Sequence, residues 1–180
     1  ALIDDQLERA RVSWQCAGVR ILSSVLPATS APTVGGVDIL DDGWFAYAPG
    51  AERDAMLSEL SGATHSTLEV VFTGGLTGAR GICLGPFDML PSPYSENTYV
   101  FVWGNADVAY RTLAHEIGHA LTNGPDSANP PYVFYPAWNP TTDTNVNSRR
   151  RMPSDTIQQA RTLRPVGNLT ATGNRMLTTP

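Results

Sequence analysis

Residues Leu113–Asp126 read L-A-H-E-I-G-H-A-L-T-N-G-P-D and set His115, Glu116 and His119 in the spacing H-E-x-x-H. Residues four apart on an α-helix share a face, about 6 Å apart along the axis. Two imidazoles so placed can both reach one tetrahedral zinc ion. The glutamate beside the first histidine is then positioned to take a proton from water acidified by the metal. A chance match on a surface helix is the alternative. Against it, two of the chain's three histidines stand here, in apolar rather than solvated surroundings.

The flanking residues specify the helix. Tyr110, Leu113, Ala114, Ile117 and Leu121 form one stripe, and Val108, Thr112, His115, His119 and Thr122 a second. A helix with a core stripe on one side and metal ligands on the other is packed on both faces. Asn105 or Asp107 is the expected cap after Gly104, and Asn123-Gly124-Pro125 the expected stop. Gly118 costs about 1 kcal/mol against alanine, so its expected use is close approach of a neighbouring backbone.

A catalytic zinc takes a third protein ligand and keeps one position for water. Beyond His119 the chain has no histidine, cysteine or glutamate, which leaves Asp126, Asp143 and Asp155 as acidic donors. Asp126 lies seven residues past His119, behind a Gly-Pro turn that can fold the chain back under the metal, and is the favoured ligand. Asp143 reads better as a turn residue and Asp155 as a helix cap. Both stay open, together with His65, otherwise a solvated loop histidine, and Tyr135.

Outward from this centre, 180 residues suffice for one well-buried domain. The net charge is −5, and all 12 basic residues are arginine. That balance gives no case for nucleic acid or an anionic membrane surface as partner, and no apolar run has the length of a membrane span. The Arg149-Arg150-Arg151 run reads as a solvated turn. The chain opens at Ala1 without methionine, which suggests a processed or trimmed product.

In order, Asp4–Gly18 reads as a helix with Leu7, Ala10, Arg11, Trp14 and Ala17 at helical spacing. Val19–Val25 reads as a strand, Pro27–Gly36 as a loop, Val37–Leu40 as a short apolar piece, and Asp41-Asp42-Gly43 as a turn. Ala51–Leu60 is a second helix. Leu68–Thr73 and Tyr99–Trp103 are strands, with the glycine-punctuated, extended or looped segment Gly74–Cys83 between them. Asn129–Asn147 is irregular. Asp155–Arg164 is a last helix, capped by Asp155 with Gln158 as partner, and Val166–Pro180 reads as a loosely attached tail. The expectation is an α+β domain over residues 1–164 with a tail at 165–180. Its mixed, twisted sheet lies over the active-site helix, and a C-terminal helix follows.

These motifs together resemble a metzincin-type zinc peptidase, whose pattern is H-E-x-x-H-x-x-G-x-x-H/D. His115, Glu116 and His119 match directly. Thr122 stands where the family has glycine and Pro125 where it has the third ligand, so Gly124 and Asp126 match through a loop with extra residues. Aspartate in that place is similar to small secreted bacterial members of the snapalysin kind. The opening helix with Trp14, followed by Gly18-Val19-Arg20-Ile21, is similar to the family's first helix and strand. Gly75–Gly85 resembles its glycine-rich edge strand, and Met152 before Ser154-Asp155 its methionine turn, without the usual tyrosine.

The resemblance implies a zinc endopeptidase, monomeric, secreted or periplasmic, acting on peptide or protein. Zn²⁺ would be held by His115, His119 and Asp126, with Glu116 as general base. Substrate would lie extended beside Gly78–Leu84, with Tyr132 or Tyr135 as oxyanion donors where they are not simply packed. Export favours a disulfide between Cys16 and Cys83 over two buried thiols. Two other readings stay open. One is a zinc amidase acting on cell-wall or small peptides; the other is a non-catalytic binding domain with a structural metal, for which an intact Glu116 has no use.

Overall fold

The computed structural model describes residues 2–15, 17–25, 29–60, 68–85, 90, 98–103, 111–122 and 170–178. In chain order the elements are α1 (Leu2–Gln15), β1 (Leu22–Val25), β2 (Thr29–Ser30), β3 (Thr33–Val34), β4 (Val37–Asp38) and α2 (Ala51–Glu59). They continue with β5 (Leu68–Thr73), β6 (Gly81–Leu84), β7 (Thr98–Trp103), α3 (Thr112–Thr122) and β8 (Thr170–Thr178). The main sheet runs β1-β8-β5-β7-β6, with β2 also pairing β8. The pairs β1/β8, β8/β5 and β5/β7 are parallel, whereas β6 closes the edge antiparallel to β7. This is the expected α+β architecture with a mixed sheet.

β5 and β7 are almost continuously apolar because both faces of the sheet are covered. Leu68, Val70 and Phe72 of β5 and Val100 and Val102 of β7 pack on one side with Leu7, Ala10 and Trp14 of α1 and Leu113, Ala114, Ile117 and Leu121 of α3. The alternate residues Val71, Tyr99 and Phe101 face a second core with Met56 and Leu57 of α2, Leu40, Phe45, Leu76 and Leu84. Phe45 and Phe101 meet there with ring centroids 4.9 Å apart. The period of two thus divides each strand between two helical layers.

Helix α1 ends as its sequence requires. Gly18 takes a φ of 74°, the Val19 N–H donates to the Trp14 carbonyl and the Gly18 N–H to that of Gln15. These are the two bonds of a Schellman cap. Gly35 and Gly36, both with positive φ, make the two-residue turn between β3 and β4, the backbone form that suits a tight hairpin. β2 and β3 lie where the sequence suggested only a loop, and β4 opens the short apolar piece expected at Val37–Leu40.

The indole of Trp14 joins the two helices beneath the sheet: its Nε1–H donates to the Ala114 carbonyl at 2.9 Å in a buried contact. Trp14→Phe is expected to lose that bond, about 1 kcal/mol, and leave a partial void worth a similar amount. The sum of about 2 kcal/mol predicts a Tm lower by roughly 4–8 °C, measurable by thermal unfolding monitored by circular dichroism.

Two expectations need correction. The segment Val166–Pro180 is not a loose tail: residues Thr170–Thr178 form β8, inserted between β1 and β5. The domain therefore does not end at residue 164. The run T-A-T-G-N-R-M-L-T has no apolar alternation to betray a strand; its place comes from main-chain pairing along both edges. Ser24 pairs with Thr172 and Val25 with Asn174, so Gly173 is the residue skipped at an irregularity, a position where glycine is common. The start of α3 is the second correction. The helix begins at Thr112, because Arg111 has a φ of 53° and interrupts any helical path from Val108. Asn105, Asp107 and Tyr110 lie outside the described residues, as does the helix expected over 155–164.

Candidate metal centre

Helix α3 is fixed at its start by contacts to α1. The His115 N–H makes the first helical bond to the Arg111 carbonyl at 3.0 Å. The Leu113 N–H, exposed by the helix start, donates to Gln6 Oε1 at 3.3 Å. Arg111 turns inward, its Nη1 donating to Ser13 Oγ at 2.6 Å in a buried contact. A non-glycine residue at positive φ costs on the order of 1 kcal/mol, and these ties to α1 hold it there. Gln6 Nε2 and Thr112 Oγ1 are buried without a hydrogen-bond partner among the described residues.

One turn further, His115 and His119 project from the same side of α3, both half-buried. Their Nε2 atoms are 2.9 Å apart, with ring centroids at 4.6 Å and planes at 77°. Donors on one tetrahedral zinc at 2.0–2.1 Å sit about 3.3 Å apart, so a slight parting of the rings admits the ion. Glu116 is only 5% exposed, and its Oε1 lies 4.0 Å from His115 Nε2. That spacing exceeds the roughly 3.3 Å between donors on a tetrahedral zinc, so as it stands the carboxylate lies at the edge of such a site. The three donor atoms lie within 4.8 Å of one another, a group that could hold a metal ion. A pair of neutral imidazoles with a carboxylate suits a borderline-soft divalent metal.

The edge strand stands directly against this group. Gly81 of β6 pairs with Val102, and an added Cβ there would meet Thr112 and Glu116. Cys83, two residues on, packs half-buried against the core shared by α1 and α3. A close approach is thus found at Gly81, inside a glycine-rich segment whose register no spacing rule gave. Gln6, Arg111 and Thr112 likewise carried no signal of their partners.

Of the residues expected at the site, the structure brings together His115, Glu116 and His119. Asp126, Asp143, Asp155, His65, Tyr132, Tyr135 and Met152 lie outside the described residues, as does Cys16. Among the described residues, no helix is long and apolar enough to cross a membrane. The chain matches no protein-family model, no curated protein and no solved structure.

Proposed function

We propose that the chain is a zinc-dependent endopeptidase of metzincin-like kind, with His115, His119 and Asp126 holding the metal and Glu116 as general base. The observation that carries this reading is the pair of Nε2 atoms 2.9 Å apart on α3, with a buried carboxylate 4.0 Å from one of them. When bound, zinc supplies a Lewis acid that acidifies water and polarises a carbonyl. The rest falls to the chain. Glu116 accepts a proton from the attacking water at its carboxylate and returns it to the leaving amine. Its burial beneath β6 keeps bulk water from competing for that carboxylate. His115 and His119, on one face of a helix tied to α1 at three points, hold the metal side of the site rigid.

Substrate handling follows from β6. This strand is the antiparallel edge of the sheet and lies against α3, and an edge strand can accept an extended peptide through main-chain hydrogen bonds. Pairing of that kind tolerates varied side chains, which suits peptide or protein substrates.

The expected result is one zinc per chain and cleavage of casein that stops with 1,10-phenanthroline and returns with added zinc. Cleavage persisting after metal-verified removal of zinc would sink the reading. Hydrolysis of small amides or cell-wall peptides without any of casein would shift it to the amidase.

A further inference from the structure

We propose that Gly81 is a positioning residue for Glu116: the missing side chain on β6 is what allows the Glu116 carboxylate to lie between strand and helix, beside His115. The catalytic consequence rests on the peptidase reading; the geometry does not. A Cβ on Gly81 would stand 2.6 Å from Thr112 Cγ2, 2.7 Å from Glu116 Oε1 and 2.8 Å from Glu116 Cγ. Non-bonded carbon contacts are comfortable only at about 3.5–4.0 Å, so something has to move.

Neither wall yields easily. β6 is held by its pairing of Gly81 with Val102 and, one step further, by the Trp103 N–H donating to the Arg80 carbonyl at 2.8 Å. α3 is held to α1 by the Trp14 Nε1–H donating to the Ala114 carbonyl, the Leu113 N–H donating to Gln6 Oε1 and Arg111 Nη1 donating to Ser13 Oγ. Thr112 is β-branched and stiff about χ1 in a helix. The softest torsions in the contact are those of the Glu116 side chain. Any residue larger than glycine at 81 is therefore accommodated by displacing the carboxylate that the reaction needs.

The test compares Gly81→Ala and Gly81→Ala/Thr112→Ser with the parent. Three quantities are read: zinc affinity by chelator competition, turnover of a peptide, and the place of the Glu116 side chain from the NOEs of its γ-protons to Thr112 and His115. Gly81→Ala is expected to retain zinc, lose about 10²-fold in kcat, as a 1 Å misplacement does, and show altered Glu116 NOEs. The double variant removes Thr112 Cγ2 and is expected to regain thermal stability. It is not expected to regain turnover, because the two Glu116 contacts persist. Glu116 NOEs in Gly81→Ala that match the parent's overturn the proposal, and so does full turnover in either variant. Should Gly81→Ala fold poorly, the double variant carries the same readings. Should the parent cleave no peptide, the peptidase reading fails, and the Glu116 NOEs still decide whether Gly81 sets the place of Glu116.

Discussion

Glu116→Gln is expected to fold and bind zinc as the parent does while losing about 10²–10⁴-fold in kcat, the range for removal of a positioned general base. The expectation follows from where the side chain sits. Glu116 Oε1 is 4.0 Å from His115 Nε2, whereas the two imidazole nitrogens are 2.9 Å apart. On the proposed reading the carboxylate stands beside the metal rather than on it. Glutamine keeps the volume that fills the space between Thr112 and Gly81, so the fit of β6 on α3 survives. Alanine would remove the base and also open a void at a position only 5% exposed, mixing a stability loss of roughly 1–3 kcal/mol into the reading. Glu116→Asp keeps a carboxylate but draws it back towards the helix, and an intermediate rate is expected. The measurements are zinc stoichiometry, Tm and kcat at saturating peptide. Parental turnover in Glu116→Gln removes Glu116 as the base. Loss of zinc in that variant instead makes Glu116 a ligand.

The residues that the sequence made legible are those governed by local rules. Helical spacing found Leu7, Ala10, Trp14 and Ala17, all buried, but it also included Arg11, whose guanidinium faces outward to Ser23. Leu68–Thr73 was readable to the residue as β5, since a six-residue run with Leu68, Val70, Val71 and Phe72 before paired glycines admits little else. The H-E-x-x-H spacing predicted two converging imidazoles because i and i+4 meet on any α-helix.

What stayed hidden depends on contacts between distant parts of the chain. β8 has no apolar period, and main-chain pairing with β1 and β5 makes it a strand. The start of α3 was hidden because the Leu113 N–H there finds its acceptor in Gln6, 107 residues away. Gly81 was visible as one glycine among several. Its distinction comes from the register of β6 on β7, which places it over Glu116, and register belongs to pairing rather than to any one strand.

Asp126→Ala is expected to weaken zinc binding by more than about 10²-fold, since losing even an outer-shell partner costs 10–100-fold. The described residues supply two imidazoles, and two imidazoles make an incomplete site. Helix α3 runs to Thr122, about one turn beyond His119, and the expected Asn123-Gly124-Pro125 stop lies outside the described residues. Four residues from Thr122 reach at most about 14 Å, enough for Asp126 to return to the histidines across a Gly-Pro turn. Asp143 can also reach, because loop-closure entropy grows only slowly with length, and reach alone does not separate the two. What favours Asp126 is the turn, which limits the conformations that lead away from the metal.

Binding linkage makes stability a second readout. At fixed free zinc well above the parent's Kd, a 10²-fold weaker site loses up to about 2.7 kcal/mol, which predicts a Tm lower by roughly 5–11 °C. Without zinc, the variant and the parent should unfold together. Asp143→Ala and Asp155→Ala are the controls, expected to bind zinc as the parent does, and Asp126→His, which offers an imidazole in place of the carboxylate, is expected to restore the metal. If Asp126→Ala holds zinc at parental affinity while Asp143→Ala loses it, the ligand is Asp143. The chain would then close a longer loop under His115 and His119, with Glu116 still the base.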